Sequence, residues 1–106
     1  MAYTDAQKET LLKMLEMNLS LNFDYMDAEA KEQKEEQLGY YIDAAIDFIE
    51  REGVTVDYES IGDLILITMY ASYLYDKRND GVSIMPRALR YNLNNRVLQE
   101  KVNANV

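Results

Sequence analysis

The chain has 106 residues, a mass of 12.3 kDa, 48% hydrophobic residues and a formal net charge of −8. That is enough chain for one hydrophobic core and too little for two, and its apolar fraction is that of a globular protein, not a disordered tail. With no cysteine and no histidine, disulfides, thiolate metal sites, cysteine nucleophiles, imidazole ligands and serine–histidine triads are excluded; catalysis would rest on carboxylates, lysine or tyrosine alone.

Residues 1–4 carry no basic region, and the apolar run after Leu11 is broken by Lys13 and Glu16, so no signal peptide is expected. The first helix is predicted from about residue 5 to residue 18. Thr4 and Gln7 have the spacing of a capping box, and Leu11, Leu12, Leu15 and Leu19 recur at helical intervals. The second and longest helix is predicted from Asp27, as N-cap, to Glu52, with Gly53 as a left-handed stop. Its halves differ. Residues 28–37 are almost wholly polar and should project or pack lightly, whereas Leu38, Ile42, Ala45, Ile46 and Ile49 form one apolar stripe with Asp43, Asp47 and Glu50 facing away. Gly39, between the halves, is a candidate weak point, since glycine costs about 1 kcal/mol against alanine mid-helix.

Val54, Thr55 and Val56 read as a short extended link. A third helix should begin around residues 57–60, where Ser60 and Asp63 again have capping-box spacing. It is apolar on every side from residue 64 to residue 75, which makes it the expected central helix; twelve such residues are too few for the roughly 20 that span a bilayer, so no membrane is expected. Lys77 and Arg78 suit its last turn, and Asn79-Asp80-Gly81 signals a turn. Residues 82–85 read as an extended connection. Pro86, the one proline, fits the first turn of a fourth helix with Leu89, Leu93 and Val97 on one face and Arg87, Arg90 and Asn94 on another. The tail after Glu100 is expected to fray. The predicted fold is therefore all-α: one domain over residues 1–106, a small bundle of about four helices around a central apolar helix.

Charge divides along the chain. Residues 1–60 hold fifteen acidic and five basic side chains, a net of −10, and residues 61–106 hold four acidic and six basic, a net of +2. Such a split suits either plain solubility or head-to-tail association of copies, with the solubility reading favoured by charge alone. Nucleic-acid affinity is disfavoured, because neutralising phosphates takes a basic surplus. Arg87, Arg90 and Arg96 read as ordinary surface residues. Glu29, Glu32, Glu35 and Glu36 make an acidic ladder, but Lys31 and Lys34 are interleaved and no turn gathers the oxygens; a solvated helix is the favoured reading over a Ca²⁺ or Mg²⁺ site. Nine tyrosines, among them Tyr40, Tyr41, Tyr70, Tyr73 and Tyr75, are expected in a core or an interface. No catalytic constellation and no cofactor site is readable.

The strings Tyr73-Leu74-Tyr75-Asp76-Lys77-Arg78 and Met85-Pro86-Arg87-Ala88-Leu89-Arg90-Tyr91-Asn92-Leu93-Asn94-Asn95-Arg96 together resemble the head–tail connector family of tailed bacteriophages, also described as DNA-packaging or head-completion adaptors. The pattern is an apolar third helix ending in Leu-Tyr-x-x-Arg, then a proline opening the last helix. The block from Leu38 to Ile49 looks like the family's second helix, and Asp63 and Leu64 fall where its apolar helix starts. The resemblance spans roughly residues 11–101 and is weakest over residues 1–21 and 27–37. It implies a structural virion protein, not an enzyme: a ring of about a dozen copies, docked beneath the portal protein, that extends the DNA channel without binding DNA specifically and seats the next tail-side connector or stopper. It implies a place at the head–tail junction of the virion, and in the host cytoplasm during assembly. It also points to Arg78, Pro86, Arg87, Arg90, Tyr91 and Asn94 as subunit or portal contacts. The alternative is a small helical adaptor or regulatory protein that binds one protein partner as a monomer or dimer.

Overall fold

In the computed structural model, which describes residues 3–21, 25–80 and 84–104, the chain forms four helices: α1 (Asp5–Asn18), α2 (Ala28–Arg51), α3 (Ile61–Asp80) and α4 (Arg87–Ala104). The all-α bundle expected from the sequence is the fold observed. No helix among the described residues is long and apolar enough to cross a membrane.

Local chemistry fixes the helix ends. Thr4 and Gln7 form the reciprocal capping box, each side chain bonding the other's backbone N–H at 3.1 and 2.9 Å. At the other end of α1, Leu21 N–H donates to the Glu16 carbonyl and Ser20 N–H to that of Met17. This is a Schellman closure with Ser20, at φ 56°, in the left-handed position usually given to glycine. Asp27 caps α2 through Ala30 N–H at 2.8 Å, and Gly53 stops it at φ 99°. Ser60 caps α3 through Asp63 N–H, but the reciprocal half of that box is missing: the Asp63 carboxylate turns to Asp57 N–H instead. Pro86 sits one residue outside α4, as its cap, and its carbonyl accepts from Arg90 N–H at 3.1 Å.

Two boundaries depart from expectation, and one expected connection is only partly described. Helix α3 continues through Asn79 and Asp80, because nothing in Asn-Asp forbids the α region and the turn signal rests on Gly81, which lies outside the described residues. The expected connection over residues 82–85 is described only for Ile84 and Met85, neither of them in a helix. Helix α4 runs four residues beyond Glu100 to Ala104, since Glu100 is anchored by its side chain and holds the last turns in place. Gly39 does not break α2. It is buried, and a methyl group there would meet only the Lys8 stem, at an ordinary 3.9 Å, so the packing of α1 does not demand glycine at this position.

The core is continuous: Leu11 and Leu15 from α1, Leu38, Ile42, Ala45 and Ile49 from α2, Ile67 and Ala71 from α3, Leu89 and Leu93 from α4. Helix α3 is central, packing against each of the other three, and α4 packs chiefly on α3. The polar half of α2 is mostly exposed, and the molecule measures 51 × 33 × 18 Å. Ile67 is fully buried at the middle of α3. Ile67→Ala removes three methyl-sized groups from a site walled by several helices, and equilibrium denaturation should show a loss of about 2–5 kcal/mol.

Candidate functional site

Helix α4 carries five of the six expected contact residues or their cap. At about 100° per residue, Arg87 and Asn94 lie within about 60° of Tyr91 around the helix axis, so these three share one outward face. All three are exposed, Tyr91 by 66%. Pro86 is exposed at the start of the same helix. Beside it a shallow cleft of about 170 Å³ opens, lined by Pro86, Leu89, Met69, Tyr73 and Asp76. Arg90 points elsewhere: its guanidinium is 3.3 Å from Glu52, across to the end of α2. Arg78 belongs to α3 and stacks on its own helix, 3.8 Å above the Tyr75 ring. The structure thus gathers Arg87, Tyr91 and Asn94 on one face and separates Arg90 and Arg78 from them.

The residue that departs most from its sequence reading is Arg96. Expected on the surface, its side chain is 15% exposed and every guanidinium nitrogen is used. Nε donates to Asp63 Oδ1 at 2.8 Å, one terminal nitrogen reaches Glu100 Oε2 at 2.9 Å, and the other reaches the Thr55 carbonyl at 2.9 Å and Asp63 Oδ2 at 3.3 Å. Glu100 completes the loop by accepting from Thr55 N–H at 2.7 Å. The hydrogen bonds to Asp63 and Glu100 push the Arg96 guanidinium further up, and those from Arg96 and Thr55 hold Glu100 below the usual carboxylate range. Four segments meet here: the α2–α3 link, the start of α3, and two turns of α4. Asp63 lies four residues before Ile67 on α3, and Arg96 three after Leu93 on α4, so both charges stand in core register. Two opposite charges on core lines were the signal available in the sequence.

Asp43 was expected on a solvated face. Instead it accepts from the Tyr3 hydroxyl and is half-buried, because the stretch before α1 folds back over α2. Burial, then the bond to Asp43, pushes the Tyr3 hydroxyl's pKa up, and Tyr58, 5.5 Å away ring to ring, is also raised, mainly by burial. The Tyr3 hydroxyl is thus held as a proton donor to the Asp43 carboxylate. Other rings pair within the fold: Phe48 stacks on Tyr70, and Tyr41 meets Tyr75 edge-on. Tyr40, like Tyr25 and Tyr91, is exposed, and its hydroxyl donates to Glu36 on its own helix.

A cleft of about 420 Å³ separates α1 from the polar half of α2. Carboxylates of Asp5, Glu9, Glu16 and Glu35 alternate there with Lys8, Lys13 and Lys31, so its charge is nearly compensated. Among the described residues no three carboxylates converge to hold a cation. The surfaces with unsatisfied chemistry are apolar: Tyr91, Leu98 and Val102 stand exposed on α4, and Ile61 and Ile65 on α3. Sequence reasoning missed Leu98 and Val102, which fall seven and eleven residues after Tyr91. Compared with known proteins, the chain matches no family model, no curated protein and no solved structure.

The polar junction generates a stability prediction. Arg96→Met leaves the Asp63 carboxylate, 8% exposed, without its cation, and should cost about 3 kcal/mol in chemical denaturation. Adding Asp63→Asn should recover part of that loss, since the orphaned charge is then gone.

Proposed function

We propose that this chain is a structural assembly protein, a head–tail connector that associates with copies of itself into a ring beneath a portal. The observation that carries the reading is the joint pattern through the third and fourth helices. The apolar central helix α3 carries Leu74-Tyr75-x-x-Arg78 in its last turns, and Pro86 caps the helix that follows. The structural setting of the six contact residues supports a division of labour. Arg87, Tyr91 and Asn94 are available on an outward face, whereas Arg90 is partly spent on Glu52 and serves the fold as well.

Electrostatics is compatible with such a role. Glu29, Glu32 and Glu36 are exposed along the projecting half of α2, and a channel lined by carboxylates lets DNA pass without gripping phosphate. Exposed basic groups at Lys77, Arg78, Arg87 and Lys101 lie on the other helices. Two different surfaces of opposite sign are what repeated head-to-tail contacts need, and such contacts close into a ring when the rotation between neighbours permits.

The test is solution mass by light scattering over a wide concentration range, alone and with a portal ring added. A species near a dozen times the 12.3 kDa chain mass, free or on the portal, is the expected result. Arg87→Glu with Tyr91→Ala should reduce that species while leaving the far-UV circular dichroism unchanged. A chain that stays monomeric at all concentrations and ignores the portal contradicts the reading and favours an adaptor for a single protein partner.

A further inference from the structure

Helix α3 is wrapped on three sides and open on the fourth. Its buried residues, from Asp63 and Leu64 through Ala71, occupy a little over half of its circumference. The remaining sector holds Ile61, Ile65, Met69, Ser72 and Asp76, of which Ile61 is 65% and Ile65 45% exposed. On one side this sector is walled by Met14, Met17 and Asn18 of α1, which enclose an almost wholly apolar hollow of about 220 Å³ with Ile65, Thr68 and Met69. Thr68 shows that hollow no free hydroxyl, because its Oγ1 donates to the Leu64 carbonyl at 2.9 Å. On the other side stand Asn92, Asn95 and Gln99 of α4, with Asn92 donating to the Met69 sulfur. The result is a groove with an aliphatic floor and methionine and amide walls, the shape that accepts the apolar face of a helix.

The same chain carries a helix face that fits. Tyr91, Leu98 and Val102 lie within about 20° of one line along α4, on the side opposite Leu89 and Leu93, and are 66, 61 and 55% exposed. A helix with apolar residues on two opposite sides has little net amphipathicity, which α4 shows. The inner side is used by the fold; the outer stands exposed, uncovered by any of the described residues.

We propose that the open side of α3 is the seat for helix α4 of a second copy of this chain. Charge complementarity selects that occupant. The groove is acidic at both ends, with Glu59 just before Ile61 and Asp76 beyond Ser72, and the stripe is basic at both ends, with Arg87 before Tyr91 and Lys101 beside Val102; all four are exposed. The spans agree as well. Ile61 to Asp76 covers about 22 Å of α3 and Arg87 to Lys101 about 21 Å of α4, at 1.5 Å per residue. An antiparallel alignment places Lys101 over Glu59, at the helix end where α3 is positive and α4 negative, and Arg87 over Asp76, so dipoles and side chains agree. It brings Leu98 over Ile65. The inference rests on the self-association proposed above and adds the two surfaces that meet.

The absence of cysteine makes the test direct. Ile65→Cys and Leu98→Cys are prepared as separate full-length chains, mixed, and oxidised with diamide. The 65–98 disulfide pair should form several-fold in excess over the 65–65 pair and over a mixture of Ile65→Cys with Tyr40→Cys, a control on the exposed face of α2. Asp76→Lys in the Ile65→Cys chain should lower the yield, and Arg87→Glu in the Leu98→Cys chain should restore it. No excess of the 65–98 pair overturns the seat, and a foreign helix as the true occupant gives that same result. A wild-type ring by light scattering alongside a missing 65–98 pair overturns the seat alone and leaves the ring standing. A monomer at every concentration, with no pair and no portal binding, removes both.

Discussion

The structure depends on one constraint: a helix that is apolar all the way round has to be covered all the way round. Residues 64–75 offer no polar side to solvent, so α3 takes the centre and α1, α2 and α4 become its wrapping. Each neighbour contributes paired leucines or isoleucines to that task, Leu11 with Leu15, Ile42 with Ile49, Leu89 with Leu93. Three helices do not close the circle. Ile61 and Ile65 are left facing out, with no further cover among the described residues.

Helix α4 is the least embedded of the wrapping helices, and its attachment is partly polar. Two buried leucines hold it to α3, and Arg96 then ties it to Asp63, Glu100 and the Thr55 carbonyl. A bidentate, largely buried arginine–carboxylate contact fixes orientation more sharply than apolar packing does, because its hydrogen bonds tolerate little rotation. Rotation is what matters here. Locking Arg96 inward aims Tyr91, Leu98 and Val102 outward, so the junction that completes the fold also sets which face of α4 meets solvent.

Much of this was legible from residue order. The capping box at Thr4, the stop at Gly53, the apolar stripe of α2 and the central place of α3 all follow from local rules of spacing and conformation. What was not legible depended on distance in sequence. Asp63 and Arg96 are 33 residues apart, Tyr3 and Asp43 are 40 apart, and a charge gives no sign of its partner until the helices are packed. Arg96 was read as surface because arginine usually is, although its position in line with Leu89 and Leu93 argued otherwise. The outer stripe of α4 is hidden for a related reason: Tyr91, Leu98 and Val102 lie opposite Leu89 and Leu93, and so weaken, rather than reinforce, the amphipathic signal of the inner face.

Whether α4 of another copy covers the open side of α3 can be read from hydroxyl-radical footprinting of the unmodified chain, from dilute to concentrated solution. With that cover, Met17, Ile65, Tyr91 and Leu98 lose reactivity together as concentration rises, while Tyr40 and Phe48, exposed on α2, keep theirs. Unchanged reactivity at the first four across the range, or protection appearing on α2 instead, would contradict it.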